Sequence, residues 1–176
     1  TVGGNVSGTS DLAPLTQQGD MILELFPQCK TVGLLYCSAE PNSEYQVRVM
    51  EEYLGGKGIA TERYSFSDTN DISAVATAAA KASDVIYIPT DNTAASCTGT
   101  ISNIVLQEKV PVVAGEEGIC SGCGVAALSI SYYDLGYKTG EMAAKILRGE
   151  AKISEMPIEY APAKKVYNAE MCAEFG

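Results

Sequence analysis

Polar loops follow three apolar, strand-like runs of this sequence, each at the point where the run ends. The runs are Thr31–Tyr36, Asp84–Ile88 and Val110–Ala114, and the loops after them are Cys37–Ser43, Pro89–Thr93 and Gly115–Gly118. In a parallel α/β sheet, ligands bind in the crevice outside the carboxyl ends of the strands. Hydroxyls, amides and carboxylates gathered at one such edge predict the binding of a small polar molecule.

Each of these polar residues also has a purely structural interpretation. Ser43, Asn92 and Thr93 are residue types that cap helices. Asp91 and Glu116 gain from a helix dipole when they lie beside the start of a helix, and surface loops often carry carboxylates without a function. The hypothesis of a binding site therefore depends on the three loops meeting at one edge of one sheet.

Strand-like and helix-like segments alternate along the chain. Two further strands are predicted at Ile59–Ser65 and Val125–Ile130. The predicted helices run from Pro14 to about Phe26, onwards from a capping box at Ser43–Gln46, onwards from Asn70 or Asp71, and from about Thr93 to Gln107. This alternation implies right-handed βαβ units. We therefore predict an α/β fold, a three-layer sandwich with a central, mostly parallel sheet.

The C-terminal quarter begins with an amphipathic helix, predicted at Tyr133–Arg148 and ended by Gly149. Its apolar residues are Leu135, Met142, Ala143, Ile146 and Leu147. A short strand at Pro157–Tyr160 and a final helical turn or two within Lys165–Phe175 are predicted to follow.

Composition excludes several classes of protein. The 176 residues carry a net charge of −10 without a basic cluster, which argues against nucleic-acid binding. No apolar run approaches the ~18 residues that a membrane span needs. Residue 1 is Thr, so we expect the chain to be cut from a longer precursor in which any targeting segment or membrane anchor lies.

The sequence offers little for catalysis. It has no histidine, no GxSxG elbow and no P-loop, and the Glu116–Glu117 pair lies in a loop where neighbouring side chains point apart. The Cys120–Cys123 CxxC pattern lies in a predicted Gly-rich connection, where a local disulfide or two free thiols is favoured over a catalytic or metal role. Cys29 and Cys37 are predicted to be small core residues. We expect no catalytic residue, no metal and no cofactor, hence no enzyme.

Six stretches resemble the substrate-binding proteins of ABC transporters in the tryptophan/tyrosine-type family, which have a type I periplasmic binding-protein fold. They are Gly4–Asp11, Lys30–Tyr36, Glu40–Ser43, Tyr87–Thr93, Val113–Gly118 and Tyr132–Gly149. The resemblance implies one lobe of that fold. Residues 1–132 would form the ligand-binding lobe, residues 133–149 the amphipathic helix, and residues 150–176 a strand and helix returning to the lobe.

The resemblance also implies a function, which is to capture a small solute outside the cytoplasmic membrane, in the periplasm or on the cell surface, and to deliver it to an ABC permease. Amino acids, aromatic ones above all, are the expected ligands. The implied ligand contacts are Asn42, Ser43, Thr90, Asp91, Asn92, Thr93, Gly115 and Glu116, with Thr9, Ser10 and Asp11 at the hinge and Tyr132 at the return hinge. Hydroxyls, amides and helix N-terminal N–H groups would suit an α-carboxylate, and Asp91 or Glu116 an α-ammonium.

The resemblance covers only the second lobe of a two-lobed clamp. In the family, the helix at residues 133–148 packs on the first lobe, so we expect it to self-associate or to dock differently in this chain. A single lobe cannot enclose a ligand on both sides, so weak binding or none is expected. A ligand-sensing receptor of the same fold is the alternative, and a small-molecule enzyme domain is less favoured.

Overall fold

The computed structural model describes residues 3–175, which form two compact units. The larger unit comprises residues 14–129 and 165–175, and the smaller one comprises residues 3–13 and 130–164. No helix within the described range has both the length and the apolar character of a bilayer span.

In chain order, the elements are β1 (Thr9–Ser10), α1 (Leu15–Leu25), β2 (Thr31–Cys37), α2 (Pro41–Gly56), β3 (Ala60–Phe66), α3 (Ile72–Ala82), β4 (Val85–Ile88), α4 (Asn92–Ser96), α5 (Thr98–Glu108), β5 (Val112–Ala114), α6 (Glu117–Cys123), β6 (Ala126–Ile130), α7 (Tyr132–Leu147), a 3-10 turn (Ile153–Glu155), β7 (Glu159–Tyr160), β8 (Ala163–Tyr167) and α8 (Ala169–Phe175).

The main sheet has six strands in the order β3-β2-β4-β5-β6-β8. The pairs β2–β3, β2–β4, β4–β5 and β5–β6 are all parallel. In their register, Val32 lies opposite Val85, and Ile86 lies opposite Val112. The predicted α/β class with a mostly parallel sheet is confirmed.

The central strands are apolar because helices cover the sheet. Side chains such as Leu34, Ile86 and Val113 are fully buried, which is typical of parallel strands with both faces covered. Strand β3 lies at the edge of the sheet and exposes most of its side chains. The predicted positions of all five strands of the larger unit are confirmed, with ends that differ by one or two residues.

Three local predictions are wrong. The helix predicted from Thr93 to Gln107 is interrupted at Cys97, whose φ of −119° and ψ of 15° lie outside the helical range, so α4 and α5 are separate. The capping box at Ser43 does not form, because α2 begins two residues earlier at Pro41, a favoured first helical residue. Cys120 and Cys123 lie within helix α6 and not in a loop.

At the start of α3, Asp71 occupies the capping position but its side chain makes no capping hydrogen bond. Its carboxylate instead accepts a hydrogen bond of 2.8 Å from the Ser67 hydroxyl. The position of the helix start was therefore predictable, whereas the interaction at that start was not.

In the smaller unit, the two-stranded parallel pair β1–β7 aligns Thr9 with Glu159. Helix α7 begins at Tyr132, one residue before its predicted start, with the Ser131 hydroxyl accepting from the N–H of Asp134, and Gly149 follows its end with a φ of 75°. A small apolar cluster consists of Ala13, Ile130, Leu135 and Ala161, with Ala163 against it. The short strand β7 of this unit, and the final helix α8 of the larger unit, are also where the sequence predicts them.

Candidate functional site

The side chain of Gln46, which is 4% exposed, connects α2 to the loop after β4. Its Oε1 accepts from the N–H of Thr90 at 3.1 Å, and its Nε2 donates to the carbonyl of Thr90 at 3.4 Å. Asn42 Nδ2 donates to the same carbonyl at 2.9 Å, and the Ser43 hydroxyl approaches it at 3.5 Å. Three predicted ligand contacts, Asn42, Ser43 and Thr90, therefore lie together at the carboxyl edge of the sheet.

Asp91 is 1% exposed and its carboxylate is bound by backbone donors. Its Oδ1 accepts from the N–H of Ala94 at 2.8 Å and so caps α4, whereas its Oδ2 accepts from the N–H of Cys37 at 2.7 Å. The carboxylate thus ties the end of β2 to the start of α4. Through these bonds Asp91 holds the loop in place.

Glu40, which the sequence did not single out as a site residue on its own, binds the next two residues of that loop. Its Oε1 accepts from the N–H and the hydroxyl of Thr93, both at 2.8 Å. Its Oε2 accepts from the N–H of Asn92 at 3.1 Å and from its Nδ2 at 3.0 Å. Partial burial raises the pKa of Glu40, but the hydrogen bonds from Thr93 and Asn92 outweigh this and lower the pKa to about 2.

Gly115 brings the loop after β5 to the same edge. Its N–H donates to the carbonyl of Ile88 at 2.7 Å. A Cβ at this position would lie 2.7 Å from both the carbonyl carbon of Pro89 and the nitrogen of Thr90, so only glycine fits. The next residue, Glu116, caps α6, with its carboxylate accepting from the N–H groups of Gly118, at 2.7 Å, and Ile119.

The charge at this edge is negative. The three loops contain the carboxylates of Glu40, Asp91, Glu116 and Glu117 and neither Lys nor Arg. Glu40, Asp91 and Glu116 already bind N–H groups at the starts of α4 and α6. Since a carboxylate oxygen can accept more than one hydrogen bond, this edge is better suited to a cationic group than to a second carboxylate.

Gln18, on α1, is a second residue that the sequence reasoning missed. It is fully buried, and its Nε2 donates to the carbonyls of Gly115, at 3.1 Å, and Leu128, at 3.0 Å. Its Oε1 accepts from the hydroxyl of Tyr87 at 2.6 Å. The available signal was its helical spacing, because Gln18 lies three residues after Leu15 on the apolar face of α1.

The remaining predicted contacts belong to the smaller unit. Thr9 Oγ1 and Thr139 Oγ1 are hydrogen-bonded at 2.7 Å, and the Ser10 hydroxyl accepts from the N–H of Leu12 at 3.2 Å. The hydroxyl of Tyr132 donates to Asp11 Oδ2 at 3.3 Å, and this tyrosine is 56% exposed.

The cysteines of the CxxC pattern are buried free thiols. Burial raises the pKa of Cys120 to about 11 and that of Cys123 to about 12, so neither is a reactive thiolate at neutral pH. Cys29 and Cys37 are buried in the core as predicted. Within residues 3–175, no group of three or more His, Cys, Asp or Glu side chains comes together in a way that could hold a metal ion.

The family model described as "ABC transporter substrate binding protein" matches residues 1–175. The chain belongs to this family. The resemblance in the sequence is thereby confirmed, and with it the type I periplasmic binding-protein fold of the lobe.

Individual relatives agree with this assignment. A tyrosine-binding protein from Clostridioides difficile (strain R20291) is 32% identical over 156 residues, which are 89% of this chain and 45% of the relative. The structure of an ABC domain in complex with L-Trp from Streptococcus pneumoniae is 35% identical, with a TM-score of 0.86 over 99% of this chain and 60% of that chain. A ligand-free, open substrate-binding protein with adhesive properties from Clostridium difficile is 36% identical, with a TM-score of 0.82 over 99% and 59%. The chain therefore spans about half the length of the curated relative and three-fifths of these structures.

Proposed function

We propose that this chain is the ligand-binding part of the solute-binding component of an ABC importer. It acts outside the cytoplasmic membrane, binds an amino acid without chemical conversion, and passes it to a permease. Membership of the family supports this proposal. The names of the relatives, a tyrosine-binding protein and a complex with L-Trp, support an aromatic amino acid as the ligand.

The observation that carries the proposal is the set of polar loops at the carboxyl edge of β2, β4 and β5. Bonds from Gln46 and Glu40 hold the loop after β4, so the edge is formed before a ligand arrives. A site that is ordered in advance loses less entropy on binding. This favours a binding function at the edge where parallel sheets usually bind ligands.

The charge of the edge suggests how the ligand is oriented. The carboxylates of Glu40, Asp91 and Glu116 occupy the N–H donors that would otherwise bind an α-carboxylate. We therefore assign the α-ammonium group of the ligand to this lobe, with Glu116 as its main charged partner, because Glu116 is partly exposed whereas Asp91 is buried. The exposed amides of Asn42 and Asn92 and the half-exposed hydroxyl of Thr90 complete the proposed contacts.

We also propose the domain assignment that the resemblance implies, in which residues 1–132 form the ligand-binding lobe and residues 133–149 form a helix that packs on another surface. Helix α7 exposes Tyr133 (81%), Tyr137 (64%) and Leu147 (87%). This exposed face supports packing of the helix on a lobe that the longer relatives possess, or on a second copy of the chain.

Nuclear magnetic resonance titration of the 176-residue chain with three probes tests the function and the orientation together. The probes are L-tryptophan, tryptamine, which lacks the carboxylate, and indole-3-propionate, which lacks the ammonium group. We expect L-tryptophan and tryptamine at millimolar concentration to shift the signals of the backbone amides of residues 90–93 and 115–118. Indole-3-propionate should bind about tenfold more weakly, given the usual contribution of a charge-assisted hydrogen bond.

A matched pair of variants sharpens this test. Glu116→Gln should weaken L-tryptophan binding about tenfold, whereas Glu117→Gln, at the exposed neighbouring position, should leave it unchanged. If L-tryptophan shifts no amide at this edge, the proposed function is wrong. If indole-3-propionate binds as tightly as L-tryptophan, the function stands but the orientation is wrong.

A further inference from the structure

The peptide group between Gly115 and Glu116 is held from two sides in the larger unit. On one side, the fully buried amide of Gln18 donates to the carbonyl of Gly115 at 3.1 Å. On the other, Gly115 lies so close to the backbone of Pro89 and Thr90 that a Cβ would be 2.7 Å from its nearest atoms. Because the peptide is planar, fixing the direction of its carbonyl also fixes the direction in which the chain continues to Glu116.

Gln18 is itself held rigidly. Its Nε2 also donates to the carbonyl of Leu128 at 3.0 Å, and its Oε1 accepts the hydroxyl proton of Tyr87 at 2.6 Å. One side chain of α1 therefore connects β4, β6 and the loop after β5. In a buried network in which each member has a partner, the hydrogen bonds specify one arrangement of the groups.

We propose that Gln18 is a positioning residue for ligand binding, which sets the place of the Glu116 carboxylate relative to the loop after β4 and so controls recognition of the ammonium group of the ligand. This inference rests on the proposed function, because it assigns a role to a residue that does not itself touch the ligand. An apolar residue of similar size at position 18 would fill the same space in the core but would leave the Gly115 carbonyl free to turn.

The test compares two variants. Tyr87→Phe removes one partner of Gln18 but keeps the two bonds from its Nε2, so it is the control. The double variant Gln18→Met and Tyr87→Phe keeps the approximate size of both side chains but leaves the carbonyls of Gly115 and Leu128 without their donor, so we expect it to be folded but less stable. Circular dichroism and amide spectra establish that each variant is folded.

The readout is the ratio of the dissociation constants for indole-3-propionate and L-tryptophan. In the unmodified chain and in Tyr87→Phe, we expect a ratio of about ten, the value of one charge-assisted hydrogen bond. In the double variant, we expect the ratio to fall to about two, a loss of selectivity for the ammonium group that a general loss of stability would not produce. A folded double variant that keeps the ratio of the unmodified chain overturns the inference.

A second measurement needs no variant. In the unmodified chain, saturating L-tryptophan should shift the side-chain amide signals of Gln18, and indole-3-propionate should leave them in place. Unshifted Gln18 signals under saturating L-tryptophan overturn the inference even if the double variant does not fold. Failure of the proposed function is recognised separately, since then L-tryptophan does not shift residues 115–118 in the unmodified chain.

Discussion

Replacing Glu40 by Gln removes the charge that holds the loop after β4. The carboxylate accepts four hydrogen bonds from Asn92 and Thr93, and its pKa is lowered from 4.5 to about 2. A pKa lowered by this much corresponds to about 3 kcal/mol before screening by solvent. Since Glu40 is only partly buried, we reduce this to about 1–2 kcal/mol. The variant should therefore unfold about 2–8 °C below the unmodified chain.

The stabilisation by the Glu40 carboxylate depends on pH. The pKa of Glu40 is lower in the folded chain, so its stabilisation is fully present above pH 4.5 and is lost as the pH falls towards about 2. Urea unfolding followed by circular dichroism should show a clear difference between the two proteins at pH 7 and a smaller one at pH 3.

The matched control is Glu52→Gln, which lies within α2, the helix that Glu40 immediately precedes. Glu52 is 69% exposed and lies 3.7 Å from Arg48, so its replacement should change the free energy of unfolding by less than about 0.5 kcal/mol. Equal midpoints for Glu40→Gln and the unmodified chain at pH 7, or a difference that persists undiminished at pH 3, would refute the role assigned to the Glu40 carboxylate.

Three further predictions concern other parts of the chain. Gly115→Ala should lower the free energy of unfolding by about 1–3 kcal/mol, because the new methyl group meets the backbone of the loop after β4. Gly99→Ala, with open space around it, should instead stabilise α5 by about 0.5–1 kcal/mol. Denaturant unfolding measures both changes. An alkylating reagent at pH 8 should modify the partly exposed Cys97 well before the two buried cysteines of α6, and mass spectrometry showing equal rates would contradict their raised pKa values. Sedimentation velocity should detect self-association that Tyr137→Lys weakens, and a monomer at all concentrations would count against an α7 interface between copies.

The strands were predictable because their signal is local. A run such as Thr31–Tyr36 is apolar throughout because helices cover the sheet, and burial alone produces that pattern. The meeting of the loops after β2, β4 and β5 followed from the geometry of parallel sheets and not from any single residue. The periodicity after Tyr133 placed the start of α7 within one residue of its observed start at Tyr132, but it did not identify Ser131 as the cap.

The hydrogen bonds of the edge were not predictable, because they join residues far apart in the chain. Glu40 and Thr93 are separated by 53 positions, and Gln18 and Gly115 by 97, so no spacing rule connects them. Cys97 is neither a proline nor a typical capping residue, and Gly99, two positions later, indicated a weak point in the predicted helix but not the break itself. The predicted ligand contacts themselves stay predictions until the titrations are done.

Gln46 holds Thr90 through the main chain of that residue alone. Asn42, Ser43 and Gln46 bind only main-chain atoms of Thr90, so the shape of that loop does not depend on which side chain residue 90 carries. Position 90 can therefore be exchanged with the scaffold intact. Because we propose Thr90 as a ligand contact, a library that varies this position alone should yield folded proteins whose selectivity among amino acids can be compared directly.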